Sequence, residues 1–290
     1  MVEAIGIADG AEAGKPWRQV VAPLYRHLTL GVLAVIVLAP LVATVFGGFK
    51  TLEELRSNPI GPPSEWHWEA YRTVLTSAAF WRFLGNSAVI TGCSVIGTMV
   101  LAALAGFAVT MLRDRAGQRI LQVFTIGLML PAATAVLPIF IQIRDLGLLD
   151  TYWGVILPQV SFGLAIATIL LAQFFAELPD DLYQAAVMDG CGYGRYFMQI
   201  VLPLSTPILA TVATIQFVQS WNNYILPLVL TASEAMYTWP LGIMTFQGEY
   251  IQEWNKVLAF VSLTLVPTVV FFVICQKYIV SGLAAGAVKG

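Results

Sequence analysis

Six long apolar runs, separated by shorter polar stretches, set the outline of this chain. A helix that crosses a bilayer needs about 20 mostly apolar residues. The runs fall at 28–46, 84–112, 120–143, 153–175, 204–230 and 257–280. Their apolar residues are continuous and do not alternate with a period of two, so helices are expected and a β-barrel is not. Pro131 and Pro138 interrupt the third run, and Pro227 lies near the end of the fifth. Membrane helices accommodate proline where neighbours satisfy the freed backbone groups, so six continuous spans are expected. After the first run, Pro59, Gly61, Pro62 and Pro63 oppose a regular element. Residues 65–71 are expected to open a short interfacial helix capped by Ser64. With no long repeat and no separate soluble unit, the chain reads as one all-α transmembrane domain over residues 1–290. It comprises a six-helix bundle at 28–280, a polar loop at 177–207 and a tail at 281–290.

Composition identifies the solvent. Hydrophobic residues make up 58% of the 290, charged residues 11%, and mean hydropathy is +0.77. Soluble domains carry about 25% charged residues, so much of this surface must face lipid. The formal net charge of −2 offers no bulk attraction to nucleic acid. Cys93, Cys191 and Cys275 form no disulfide framework and read as small hydrophobes. The first run is long for a cleaved signal and suits an uncleaved span.

With both termini placed in the cytoplasm, the inner segments hold nine of the 15 lysines and arginines and the outer segments six. The short loop after the second span holds Arg113, Arg115 and Arg119 close to the lipid, which fixes that loop inside. Trp66, Trp68, Trp81, Trp153, Trp239 and Trp254 cluster near the opposite ends, as an interfacial belt would.

The polar insert QAAVMDGCGYGRYFMQIVLPLSTP, residues 184–207, stands out between two apolar runs. Pro179, Asp180 and Asp181 suit a helix start. Ala185 and Ala186 keep one face small enough for another surface to approach. Gly190 and Gly192 are expected to supply the φ > 0 geometry that ends the helix. A second helix then places Tyr193, Phe197, Ile200 and Val201 on one stripe, and Pro203 precedes the fifth span. An amphipathic connector between spans is the plainer alternative; the whole spaced pattern favours a rigid knob that docks on a partner.

This pattern, A-A-x-x-D-G followed nine residues on by I-x-L-P, closely resembles the coupling loop of binding-protein-dependent ABC importer permeases. Asn86-Ser87 at the start of the second span, Trp221-Asn222-Asn223-Tyr224 in the fifth and the 281–290 tail resemble its carbohydrate branch, similar to the six-span maltose-system permease. The resemblance implies a type I importer permease fold in the bacterial inner membrane. It implies a second permease subunit, two ATPase subunits and an extracytoplasmic solute-binding protein as partners. ATP and Mg²⁺ would sit on the ATPases, with no cofactor and no metal on this chain. Gln184, Ala185, Ala186, Asp189 and Gly190 would occupy an ATPase cleft, with Phe197 and Pro203 in the same docking loop. The tail, with Gly286 and Lys289, would reach between the ATPases, and residues 231–254 would meet the binding protein. One departure is Gln184, where the family motif opens with Glu; glutamine hydrogen-bonds a basic partner without the charge-assisted pair.

Polar residues inside spans usually face a bundle interior or a wet cavity. Gln216, Gln219 and Asn223 recur at helical spacing in the fifth span and share a face. With Asn222, and with Asn86 from the second span, they form the expected translocation path. Ser87, Thr91, Ser94, Thr134 and Gln142 are weaker candidates. Amides and hydroxyls donate and accept together, which suits a neutral polyol, and Trp221 and Tyr224 would add flat contact to a sugar ring. Plain helix–helix hydrogen bonding is the alternative. No span holds a convincing carboxylate, which argues against a proton-coupled secondary transporter. His27 and His67 are the only histidines, and no P-loop or G-x-S-x-G is present, so an enzyme is not expected and no catalytic residue is assigned. The expected function is sugar or oligosaccharide import, with a phosphorylated polyol such as glycerol phosphate as the alternative cargo.

Overall fold

The computed structural model describes residues 16–112, 115–129, 131–246 and 253–287. Among them, four uninterrupted helices are long and apolar enough to cross a membrane: α1 (Pro16–Gly47), α4 (Ala78–Leu112), α7 (Tyr152–Ala176) and α14 (Trp254–Ala287). Two bent pairs bring the spans to six. Two short helices, α2 (Leu52–Ser57) and α3 (Glu69–Thr76), lie between α1 and α4, and a short α13 (Trp239–Gly242) precedes α14. No strand occurs among the described residues.

Both bends correct the expectation of continuous spans. The third run divides into α5 (Arg115–Met129) and α6 (Ala132–Asp145), which meet at 100°. Pro131 is extended at the start of α6, where its missing N–H and fixed φ begin a helix more readily than they continue one. The second bent pair joins Tyr193–Leu204 to α11 (Thr206–Trp221) at 78°, at the start of the fifth run, and that run breaks again before α12 (Ile225–Leu230), with Asn222, Asn223 and Tyr224 outside both.

The bundle is knit by small residues. Ala102, Ala103 and Gly106 of α4 pack on Ala167, Leu171 and Ala172 of α7, all buried. A Cβ on Gly106 would lie 3.1 Å from the Ala172 backbone nitrogen. In lipid such close approach replaces the hydrophobic drive between helices. Gly106→Leu is therefore expected to force α4 from α7 at a cost of about 1–3 kcal/mol, read as a lowered melting temperature of the detergent-solubilised protein. An unchanged melting temperature would contradict this packing.

The end of the bundle that holds α2 and α3 closes over Phe49, Tyr71, Val74, Phe80, Phe83 and Phe260. The Tyr71 hydroxyl lies 2.8 Å from the Val45 carbonyl and 2.7 Å from Ser262 Oγ, joining the end of α1 to α14. Lys50, only 1% exposed, donates from Nζ to the Asn58 and Gly61 carbonyls at 2.6 and 2.7 Å. This clamp folds the proline-rich loop. The expected Ser64 cap is not made: α3 starts at Glu69 with no side-chain cap, and the Ser64 N–H donates instead to Glu54 Oε1 at 2.6 Å. At the other end, α14 runs to Ala287, so the tail begins as helix through Gly286, while Lys289 lies outside the described residues.

Candidate functional site

The polar insert folds as helix, turn, helix. Asp180 and Asp181 occupy the first turn of α8 (Asp180–Met188), which ends at Asp189. Gly190, at φ +71°, follows, and its N–H donates to the Val187 carbonyl at 3.0 Å. The Cys191 N–H donates to the Ala186 carbonyl at 2.8 Å. These two bonds are the Schellman closure, which needs a left-handed residue at this position. Gly192, at φ −78°, is extended and starts α9 (Tyr193–Tyr196), so only one of the two glycines supplies the left-handed turn. A π-helical turn, Phe197–Val201, follows α9 and leads into α10 (Leu202–Leu204).

The loop has two faces. Ala186, Tyr196, Phe197 and Val201 are buried in the core that holds Phe107, with Phe197 and Phe107 ring centroids 4.8 Å apart. Ala186 and Phe197 therefore seat the loop on its own bundle and are not available on its outer face. Gln184, Ala185, Asp189 and Gly190 are exposed, as is Pro203 on α10. The outer face also carries Val187, 49% exposed, and Met188, 87% exposed. The sequence reading missed both. Their signal was the spacing: Gln184 and Met188 stand four apart, on the face opposite Ala186.

Ser205, fully buried, forms an elbow between this loop and α11. Its Oγ donates to the Val201 carbonyl at 2.7 Å, and the chain turns by 78° there. The loop and the helix that carries Gln216 and Gln219 are thus joined through one buried elbow.

Two adjoining chambers open beside α11. The larger, about 460 Å³, is lined by Gln219, Asn222, Asn223, Tyr224, Ile225, Leu226 and Phe162, with Ala132, Ala133 and Val136 of α6. The smaller, about 50 Å³, shares Phe162, Gln219 and Asn223 with it and adds Ser94, Gln159, Gln216 and Ser220. Among the described residues, no Lys, Arg, Asp or Glu lines either chamber. Gln216 Nε2 donates to the Gly163 carbonyl at 3.3 Å, and any Cβ on Gly163 would collide with the Gln216 amide oxygen. Asn223 joins the group from the break after α11, not from a helical face; its Oδ1 accepts the Leu226 N–H at 3.1 Å and caps α12. Asn222 donates to the Val218 carbonyl at 2.9 Å.

Two expected path residues lie elsewhere. Asn86 is buried and saturated: Oδ1 accepts from the Tyr152 hydroxyl at 2.7 Å, and Nδ2 donates to the Ala235 and Tyr237 carbonyls. It ties α4 and α7 to the outer loop and does not line the chambers. Trp221 is also buried, stacked on Phe217 with 11° between rings, so Phe162 and Tyr224 are the aromatic groups at the cavity. Gln159 and Phe162, both in the fourth run, were missed because that run carries no helical series of polar residues to draw attention to it.

A matching clasp holds the outer loop. Asp150, at φ +58°, accepts the Ala232 and Ser233 N–H groups at 3.0 Å, and its own N–H donates to the Leu230 carbonyl at 2.9 Å. Asp tolerates this left-handed geometry better than most residues. The Ser233 hydrogen bond holds the Asp150 carboxyl below its ordinary range. A lowered folded pKa gives stability that is complete above the unfolded value and lost as pH falls through the folded one. Proteolysis within 231–238 is therefore expected to be unchanged from neutral pH down to about 4 and to rise below it. Asp150→Ala is expected to raise cleavage at neutral pH about fivefold, equivalent to about 1 kcal/mol of hydrogen bonding. Equal cleavage of the variant and the parent would refute the clasp.

Residues 98–284 match the family model described as binding-protein-dependent transport system inner membrane component. The chain belongs to this family. It is a multi-pass inner-membrane transport component, not an enzyme. The trehalose transport system permease protein SugB of Mycobacterium tuberculosis is 36% identical to this permease over 230 residues, covering 79% of this chain and 84% of the relative. The sn-glycerol-3-phosphate transport system permease protein UgpE of Shigella flexneri is 39% identical over 209 residues, covering 71% and 74%. A solved bacterial ABC transporter involved in the import of the acidic polysaccharide alginate shares the permease's fold, with a TM-score of 0.78 at 21% identity, covering 91% of this chain and 98% of that one. The family match spans the coupling loop and the α7 and α11 walls of the chambers; Asn86 and Ser94 precede it.

Proposed function

We propose that this permease forms half of the translocation path for a neutral sugar or oligosaccharide. A second permease chain would complete the path. Two ATPase subunits would hold ATP and Mg²⁺, and an extracytoplasmic binding protein would deliver the cargo. Arg115 and Arg119 at the start of α5 support the placement of both termini in the cytoplasm, with the Gly286 and Lys289 tail directed to the ATPases.

One observation carries the choice of cargo: among the described residues the chambers beside α11 are walled by amides, hydroxyls, two aromatic rings and the aliphatic side chains of Val136, Ile225 and Leu226, with no charged side chain. Relatives move both neutral and phosphorylated cargo. A phosphate would call for Arg, Lys or several backbone N–H donors, so the wall chemistry favours the neutral class. Coupling follows from the elbow. Closure of the ATPases would press on the face of Gln184, Ala185, Met188 and Asp189, move α8 with its buried anchors as a rigid body, and tilt α11 at Ser205. Gln184 would contribute a neutral hydrogen bond to that contact.

The test is ATPase activity of the reconstituted complex in nanodiscs, with binding protein and trehalose, maltose, N,N′-diacetylchitobiose or sn-glycerol 3-phosphate. Stimulation by a neutral sugar is expected. Stimulation by sn-glycerol 3-phosphate alone would reverse the cargo assignment. No stimulation, with no ATPase in the complex, would reverse the coupling assignment.

A further inference from the structure

Gln159 and Ser94 are buried polar groups that the fold leaves incompletely satisfied. Gln159 is 7% exposed and Ser94 3% exposed. The Gln159 Oε1 atom accepts the Ser220 hydroxyl, and Ser220 Oγ lies 3.2 Å from Thr91 Oγ1. These contacts link α4, α11 and α7. Gln159 Nε2 has no partner, and neither does Ser94 Oγ. A buried amide or hydroxyl without a partner forfeits its hydration with nothing in return, and native folds seldom leave one without a reason.

Both residues line the small chamber of about 50 Å³. That is room for a hydroxyl group or about one or two waters. The chamber adjoins the larger one through Phe162, Gln219 and Asn223. The site is therefore a small, mostly polar recess with an unpaired amide N–H and a rotatable hydroxyl, set beside a space large enough for a sugar ring.

Resting on the sugar-path reading, we infer that Gln159 and Ser94 form a hydroxyl-reading subsite, in which one cargo hydroxyl accepts from Gln159 Nε2 and pairs with Ser94 Oγ. A site built to hydrogen-bond a hydroxyl discriminates strongly against an analogue lacking it, because its own groups are then left unpaired. Selectivity thus lies in this chain as well as in the binding protein.

The experiment compares uptake of trehalose with uptake of its 2-, 3-, 4- and 6-deoxy analogues by proteoliposomes of the complete importer; if another neutral sugar stimulates the ATPase, that sugar and its monodeoxy set are used. Each rate is divided by that of the parent sugar, so variant yield cancels. The wild type is expected to move one analogue about tenfold more slowly than the parent, a loss of about 1.4 kcal/mol. In Gln159→Met, and independently in the milder Ser94→Ala, that ratio is expected to rise to within about twofold of unity at the same sugar position. A wild-type-like profile in both variants would overturn the subsite, as would an equal fall for every analogue, which marks a packing role. Failure of every neutral sugar to stimulate the wild-type ATPase would overturn the underlying path reading itself.

Discussion

Gly190→Val is expected to abolish uptake while leaving the permease inserted in the membrane. The residue sits at φ +71°, and a Cβ there would meet no atom within 4 Å. Substitution therefore creates no clash, and the whole effect is conformational. An L-residue in the left-handed region costs about 1–2 kcal/mol, and β-branching places valine at the high end. That is enough to open the Schellman closure, whose two bonds hold the end of α8 against Cys191. Met188 and Asp189 would then lose their fixed relation to the buried anchors Ala186 and Phe197. A partner pushing on a frayed helix end transmits no rigid-body displacement. Uptake is expected to fall more than about tenfold, since opening the turn by 1.4 kcal/mol already shifts its population tenfold. Gly190→Asn is expected to retain most activity, because asparagine occupies the left-handed region readily. The measurement is sugar uptake alongside the amount of permease in the membrane fraction. Equal uptake by the valine variant would remove the turn from the coupling mechanism. Equal loss in the asparagine variant would shift the cause from backbone geometry to the absence of a side chain.

Asn223→Leu is expected to lower uptake about tenfold or more. Asn223 has two tasks. Its Oδ1 caps α12 at the Leu226 N–H, and its side chain walls both chambers. Loss of a cap costs about 1 kcal/mol, which is a stability effect, and a buried apolar group in the wall removes a partner for the cargo. The two are separable. Asn223→Asp retains the capping acceptor and supplies no amide donor. If the cap alone matters, Asp restores uptake; if the path needs the donor, Asp protects the melting temperature and leaves uptake low. The second pattern is expected. Asn86→Leu offers the contrast, since Asn86 bonds only to Tyr152, Ala235 and Tyr237. Its loss would loosen the outer loop without altering the chamber walls.

Much of this was legible from residue order alone. The positions of the spans, the all-α class and the helix–glycine–helix form of the coupling loop follow from local chemistry: the length of apolar runs, the conformational reach of glycine and helical spacing. The grouping of Gln216, Gln219 and Asn223 was also legible, although the reason for it was not. Asn223 reaches the chamber because α11 ends at Trp221, and three sequential residues outside any helix, Asn222 to Tyr224, redirect its side chain. Tertiary structure alone decided which members of each set face where. Ala186 and Phe197 turn inward because Phe107 and Leu171, distant in sequence, provide the surface that buries them. Asn86 is withdrawn from the path because carbonyls about 150 positions away take its amide. Gln159 enters the site because Ser220, 61 residues on, takes its oxygen and leaves its nitrogen free. Local sequence fixes backbone preference and periodicity, whereas the use of a polar side chain is set by the partner that the fold brings to it.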